Sequence, residues 1–242
     1  MSCIPSGSSR QHWLIGLGLA LLLPACDAYE PALIRDAVVQ LSFEKDLNNI
    51  GGATISLKAH DGNAVFRKSK TGSALFAQGD GSWVEATSAT HLMFGDIVEV
   101  SFDFNRANWT NPYKAGSATQ TLVAISGRGE RKIQHLAFNI SAGAVPQLYV
   151  VVEGADGKNH RLTSPAGAVS SGWRQARLKV DKQAERVSFY LDNTLVAESD
   201  VIPAVLQNGI DRIKFGTWHK KNQAYRGHID NFVIREISQG DV

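Results

Sequence analysis

The stretch "IVEVSFDF", residues 97–104, decides the fold class. Val98, Val100, Phe102 and Phe104 fall on one parity, and Ile97, Glu99, Ser101 and Asp103 on the other. Successive side chains of an extended chain point to opposite faces, so this pattern predicts a half-buried β-strand. "RQARLKV" (174–180) alternates the same way through Ala176, Leu178 and Val180, and "ERVSFYL" (185–191) through Val187, Phe189 and Leu191. Further strands are expected at about 37–44, 54–59, 73–78, 82–86, 120–127, 132–140, 147–153, 211–217 and 228–237. Turn signals such as "DGN", "GDGS", "SGRGE", "GADGK" and "LDNT" separate them. No long amphipathic helix is expected, only short helical turns at "ATHLMF" and "PAVLQN". Many short strands at hairpin spacing imply an all-β, two-sheet antiparallel sandwich of jelly-roll type.

The first 25 residues stand apart. "WLIGLGLALLL" (13–23) is apolar but too short to span a bilayer as a stable helix. "LPAC" follows, and the whole reads as a secretory signal ending in a bacterial lipobox. Cys26 is then the lipidation site and residues 26–36 a short tether, with the sandwich over 37–242. The expected location is the bacterial cell envelope, held by the lipid anchor. The chain has two cysteines, Cys3 and Cys26, so the sandwich can form no internal disulfide and must be held by packing, with or without a metal. With 25 Lys+Arg against 23 Asp+Glu and no long charge block, nothing marks a nucleic-acid partner.

The order of elements is familiar. "VVQLSFEKD", "KTGSALFAQGDGSWVEA", "IVEVSFDF", "GWRQARLKVDKQAERVSFYLDNTLVAES", "RIKFGTW" and "YRGHIDNFVIREI" follow one another over roughly residues 37–237. This resembles a laminin-G-like domain of the concanavalin A-like lectin/glucanase superfamily. Asn193 departs from the glycine usual at that hairpin turn, but Asn tolerates a left-handed conformation.

The resemblance implies that the first and last strands are neighbours, which brings Glu44 towards Asp230. Counting by two in "YRGHIDNFVI" (225–234), Asp230 shares a face with Phe232 and Ile234, so it is expected to be buried there and to need a partner. Related jelly rolls place a structural calcium near such a carboxylate pair, with Glu44 and Asp230 as ligands. The alternative is that Asp230 accepts backbone N–H bonds or pairs with a cation such as Lys45.

For function, the resemblance implies a glycan or envelope-protein partner bound without catalysis. The candidate ligand-binding residues are loop aromatics and their neighbours: Trp109 and Tyr113 in "NRANWTNPYKAGSAT", and Trp218, His219 and Tyr225 in "TWHKKNQAY". Two alternatives stay open. One is a structural or adhesion subunit. The other is a polysaccharide lyase, for which the chain offers Gln134, His135, Tyr225 and Arg128 or Arg131. Lyases of this type space Gln and His two apart, whereas here they are adjacent and must face opposite ways. The paired-acid pattern of the glucanases is absent from the sequence.

Overall fold

A computed structural model describes residues 36–107, 119–128, 133–142, 144–169, 172–218 and 223–238. In chain order the strands are β1 (Ala37–Leu41), β2 (Ile55–His60), β3 (Phe66–Lys68), β4 (Ser73–Gln78), β5 (Trp83–Leu92), β6 (Ile97–Arg106), β7 (Thr119–Arg128) and β8 (Ile133–Ser141). They continue with β9 (Leu148–Glu153), β10 (Asn159–Thr163), β11 (Trp173–Asp181), β12 (Arg186–Leu191) and β13 (Thr194–Ser199). A single helical turn, α1 (Ala204–Asn208), precedes β14 (Ile210–Phe215) and β15 (Arg226–Glu236).

These strands form two antiparallel sheets, as the alternation requires. The eight-stranded sheet runs β13-β12-β11-β6-β15-β4-β3, with β1 also paired to β15. The seven-stranded sheet runs β10-β9-β8-β7-β14-β5-β2. The first and last strands do lie side by side, antiparallel, with Leu41 opposite Phe232. The "LDNT" hairpin turns through Asp192 (φ 50°) and Asn193 (φ 65°), so Asn193 does take the left-handed conformation that glycine would supply. Asp192 does more than turn the chain: it accepts the Gln175 N–H at 2.8 Å and an Arg174 Nη1 bond at 2.6 Å.

The helical turn expected at "ATHLMF" is strand instead, because β5 runs on to Leu92 and pairs with Ile210. The turn at "PAVLQN" is α1. β3 and β10 are short, at three and five residues, and give little periodic signal.

Inward parity builds the core. Phe102 meets Phe138 of the opposite sheet edge-on, with ring centroids 5.0 Å apart, and Phe232 meets Phe215 across the same gap at 5.0 Å. Phe43 extends the row against Phe215 at 5.3 Å. All five rings are buried. Edge-to-face contact adds to the area each ring removes from water. Phe102→Ala is therefore expected to cost about 3–5 kcal/mol of folding stability in urea denaturation. Leu195→Ala, on the exposed β13, should stay within about 0.5 kcal/mol.

Candidate functional site

The outer face of the seven-stranded sheet holds an open cleft of about 340 Å³. Its origin is the strand register. Arg212 of β14 stands opposite Ser126 of β7, and Ser126 opposite His135 of β8. In the next row Lys214 stands opposite Ala124, and Ala124 opposite Ala137. Ala124 and Ser126 are short and form the floor. His135, Arg212 and Lys214 rise around them, with Trp218 from the loop after β14. Trp218 packs edge-on against the His135 imidazole, centroids 4.5 Å apart.

Two acids on the neighbouring strands β5 and β9 flank this wall. The His135 Nδ1 lies 2.8 Å from Oε2 of Glu153, whose side chain is buried at 2% exposure. That contact commits Nδ1 to Glu153 and fixes the ring's orientation. On the other side Glu85 Oε2 lies 3.5 Å from Lys214 Nζ and 3.8 Å from Arg212 Nε, and its Oε1 lies 3.9 Å from His60 Nε2. The ionisable side chains that line the cleft itself are His135, Arg212 and Lys214. Arg212, Lys214, Glu85 and Glu153 were not singled out from the sequence. The signal existed, because "RIKF" alternates and its two cations share the parity opposite to Ile213 and Phe215.

The other expected site residues are placed as follows. Gln134 faces away from His135, and its Oε1 accepts a hydrogen bond from Asn208 Nδ2 of α1 at 2.8 Å. Tyr225 does not reach the cleft. It is fully buried, its hydroxyl donates to the His228 carbonyl at 3.4 Å, and burial pushes its pKa far above the usual tyrosine value. The reading of Tyr225 as a ligand-binding or lyase residue is thereby corrected: its ring belongs to the core. Trp109, Tyr113, Arg131, His219 and Cys26 lie outside the described residues, as does the side chain of Arg128. Of the lyase set, His135 alone is seen lining the cleft. A carboxylate-oriented histidine is a general-base arrangement, but Gln134 and Tyr225 are not beside it.

Asp230 is buried as expected, at 2% exposure, yet not on the core face. It stands opposite Asp103, whose parity is outward, while Ile229 stands opposite Phe104. A register shift between Asp230 and Val233 then resets the alternation, and Asn231 takes φ 48° there. Such a bulge puts two residues of one strand against one of its partner. Counting by two across it fails, so Phe232 and Ile234 face the core while Asp230 does not.

The cover over Asp230 comes from a change of partner. β15 pairs with β4 through Arg226–Ile229, then with β1 from Phe232 onward. Glu44 lies in the loop leaving β1, which ends at Leu41 rather than at Glu44. Its Oε2 accepts the Ser73 N–H at the start of β4, 2.9 Å away. A side chain at Gly72 would collide with the Glu44 carboxylate, so this glycine makes room rather than only turning the chain.

Asp230 Oδ1 accepts the Asn231 N–H at 2.9 Å, and the Ser69 side chain also bonds it. Burial nevertheless raises its pKa from 3.8 to about 7; the two hydrogen bonds oppose the rise, and the carboxylates of Glu44 and Asp103 add to it. Among the described residues no three His, Cys, Asp or Glu side chains converge on one point as a metal site.

Neither protein-family models nor curated protein sequences match this chain. The fold does have solved relatives. A botulinum neurotoxin serotype D/C binding domain superposes with a TM-score of 0.63 at 13% identity, over 85% of this chain and 50% of its own. The binding domain of botulinum neurotoxin DC, solved in complex with SialylT, gives 0.61 at 15% identity over 85% and 49%. The binding domain of Paraclostridial Mosquitocidal Protein 1 gives 0.60 at 16% identity over 85% and 50%. This chain spans about half the length of these matched structures. At such identities the likeness shows the sandwich fold and nothing of function.

The raised pKa of Asp230 gives a signed expectation. The folded state binds this proton more tightly than the unfolded chain, so the proton's contribution is fully present below about pH 4 and is lost as pH rises through about 7. In melts without divalent cations, wild type should lose stability over that window relative to Asp230→Asn. Parallel pH curves for the two proteins would refute the buried, proton-sharing environment.

Proposed function

We propose that this protein is a non-catalytic binding module of the bacterial cell envelope, carried by a lipid on Cys26, that recognises a glycan in the cleft of its seven-stranded sheet. One observation carries the reading. An indole edge, an imidazole and two cations surround a floor of Ala124 and Ser126, which suits the mixed apolar and hydroxylated faces of a sugar ring. Sites of this size, mostly apolar with a few placed polar groups, are the usual form of ligand pockets. The fold likeness supports it more weakly: the similar structures are named as binding domains, and one was solved with SialylT. The laminin-G-like assignment belongs to the same proposal. An envelope-protein partner is the second occupant the cleft face could serve.

Calcium is part of the proposal at the other end of the molecule. Glu44, Asp103 and Asp230 are hard oxygen donors, and their mutual repulsion is what a cation would relieve. Glu44 and Asp230 would supply the side-chain oxygens, and backbone carbonyls and waters would complete the six to eight that calcium takes.

Three outcomes are expected. Trp218→Ala should weaken glycan-array and titration binding by roughly tenfold, on the order of 1.4 kcal/mol, with little change in melting temperature. Unfolding of that variant would make Trp218 a packing residue. At pH 8, where Asp230 is ionised, a chelator should lower the melting temperature of wild type but not of Asp230→Asn; an indifferent wild-type curve would remove the calcium. Wild type should partition into detergent and Cys26→Ser into water; identical partitioning would remove the anchor.

A further inference from the structure

We infer that the cleft selects acidic glycans, saccharides bearing a carboxylate or sulfate, through Arg212 and Lys214. This rests on the cleft being the glycan site. The two cations are on alternate positions of one strand and on the same face, and both line the cleft whose floor is Ala124 and Ser126. Both line the open volume, with Arg212 46% and Lys214 23% exposed. Glu85, on the neighbouring β5, is their acid, at 15% exposure. It touches Arg212 through Nε at 3.8 Å and Lys214 at 3.5 Å, beyond the 2.7–2.9 Å of a tight charged hydrogen bond. One carboxylate is thus shared between two cations and His60, and it stands beside them on β5, opposite Lys214, rather than in the cleft lining. Glu153, the second acid, is turned to His135. Among the described residues of the lining, an anion entering over the floor meets positive groups and no acid.

The whole chain carries a formal net charge of only +2, so this preference is local. A neutral sugar would satisfy Trp218 and the floor but leave both cations facing solvent. An acidic sugar would add charge-assisted bonds, of which the Arg can make two in parallel. Lysine offers a point charge beside that fork, which accommodates carboxylate and sulfate alike.

Isothermal titration of the folded chain tests this with matched probes. A sialyl-oligosaccharide is compared with its desialylated form, and an oligouronate with a neutral oligoglucoside of equal length. A sulfated oligosaccharide and a polyacrylate of similar charge complete the set. The acidic member of a pair should bind at least roughly tenfold tighter, and added salt should erode that advantage. Arg212→Gln and Lys214→Gln should each remove most of the preference, and Trp218→Ala should weaken both members alike. Lys58→Gln, on the same sheet face but outside the cleft, should leave the preference intact. Equal, Trp218-dependent binding of acidic and neutral partners would overturn this inference while the glycan reading stands. Polyacrylate binding as tight as the acidic glycan would also overturn it, as unspecific charge capture. No binding of any saccharide would overturn both readings.

Discussion

No disulfide ties the two sheets together; both cysteines precede residue 36. What joins them is a row of phenylalanines, Phe43, Phe215, Phe232, Phe102 and Phe138, that crosses between the sheets at Phe215–Phe232 and Phe102–Phe138, with neighbouring centroids 5.0–6.4 Å apart. Everything outward depends on that row. With Phe215 and Ile213 committed to the core, Arg212 and Lys214 must face out. With Phe138 and Leu136 committed, His135 must follow them. A one-residue slip of β14 would drive two cations into the core. The register that makes the core therefore also composes most of the cleft, to which the loop after β14 adds Trp218.

The alternation is broken at a few places, and these matter for position. Shifts occur between Thr121 and Val123, between Ile210 and Arg212, and between Asp230 and Val233. The first two lie on the strands that frame the cleft. The third turns Asp230 away from the core and into the gap where β4 hands β15 over to β1. A bulge re-aims a side chain at the cost of one unpaired step. Here it leaves a carboxyl under cover, among other carboxylates, in surroundings that favour a proton or a cation over a bare charge.

This explains how much could be read from the sequence. Strands β6, β11 and β12 declare themselves because each has one wet and one dry face. The pairing of first and last strands follows from the resemblance, and the structure has it. Gln134 and His135 separate as simple alternation demands. Asp230 defeats the same rule, because a bulge adds one residue to the count and nothing in "HIDNF" announces it beyond an Asn able to take a positive φ. Tyr225 fails for another reason. It follows polar "HKKNQ" and looks like loop, yet the chain returns to the core one residue before β15 begins. Arg212 and Lys214 were legible as outward residues, but the small floor between them required knowing that β7 is their neighbour. Side chains gathered from strands distant in sequence carry no local pattern.

The two outer faces show why the site belongs to the seven-stranded sheet. The eight-stranded sheet also displays arginines, Arg177 and Arg235, on its outside. There the acid is between them. Glu99, 3% exposed, accepts Nη2 and Nε of Arg235 at 2.7 and 3.0 Å and Nη1 of Arg177 at 3.3 Å. The Arg177 guanidinium also lies over the Tyr190 ring, 4.2 Å from its centroid. Arg235 is held by two short bonds to a desolvated acid that also reaches Arg177, so a new anion would have to break good bonds to reach that cation. Across the molecule Glu85 holds Arg212 and Lys214 at longer range from the neighbouring strand, and the cleft beside them is open. Equal residue types give a closed structural network on one face and an available one on the other. What differs is how closely the glutamate of each face approaches its cations.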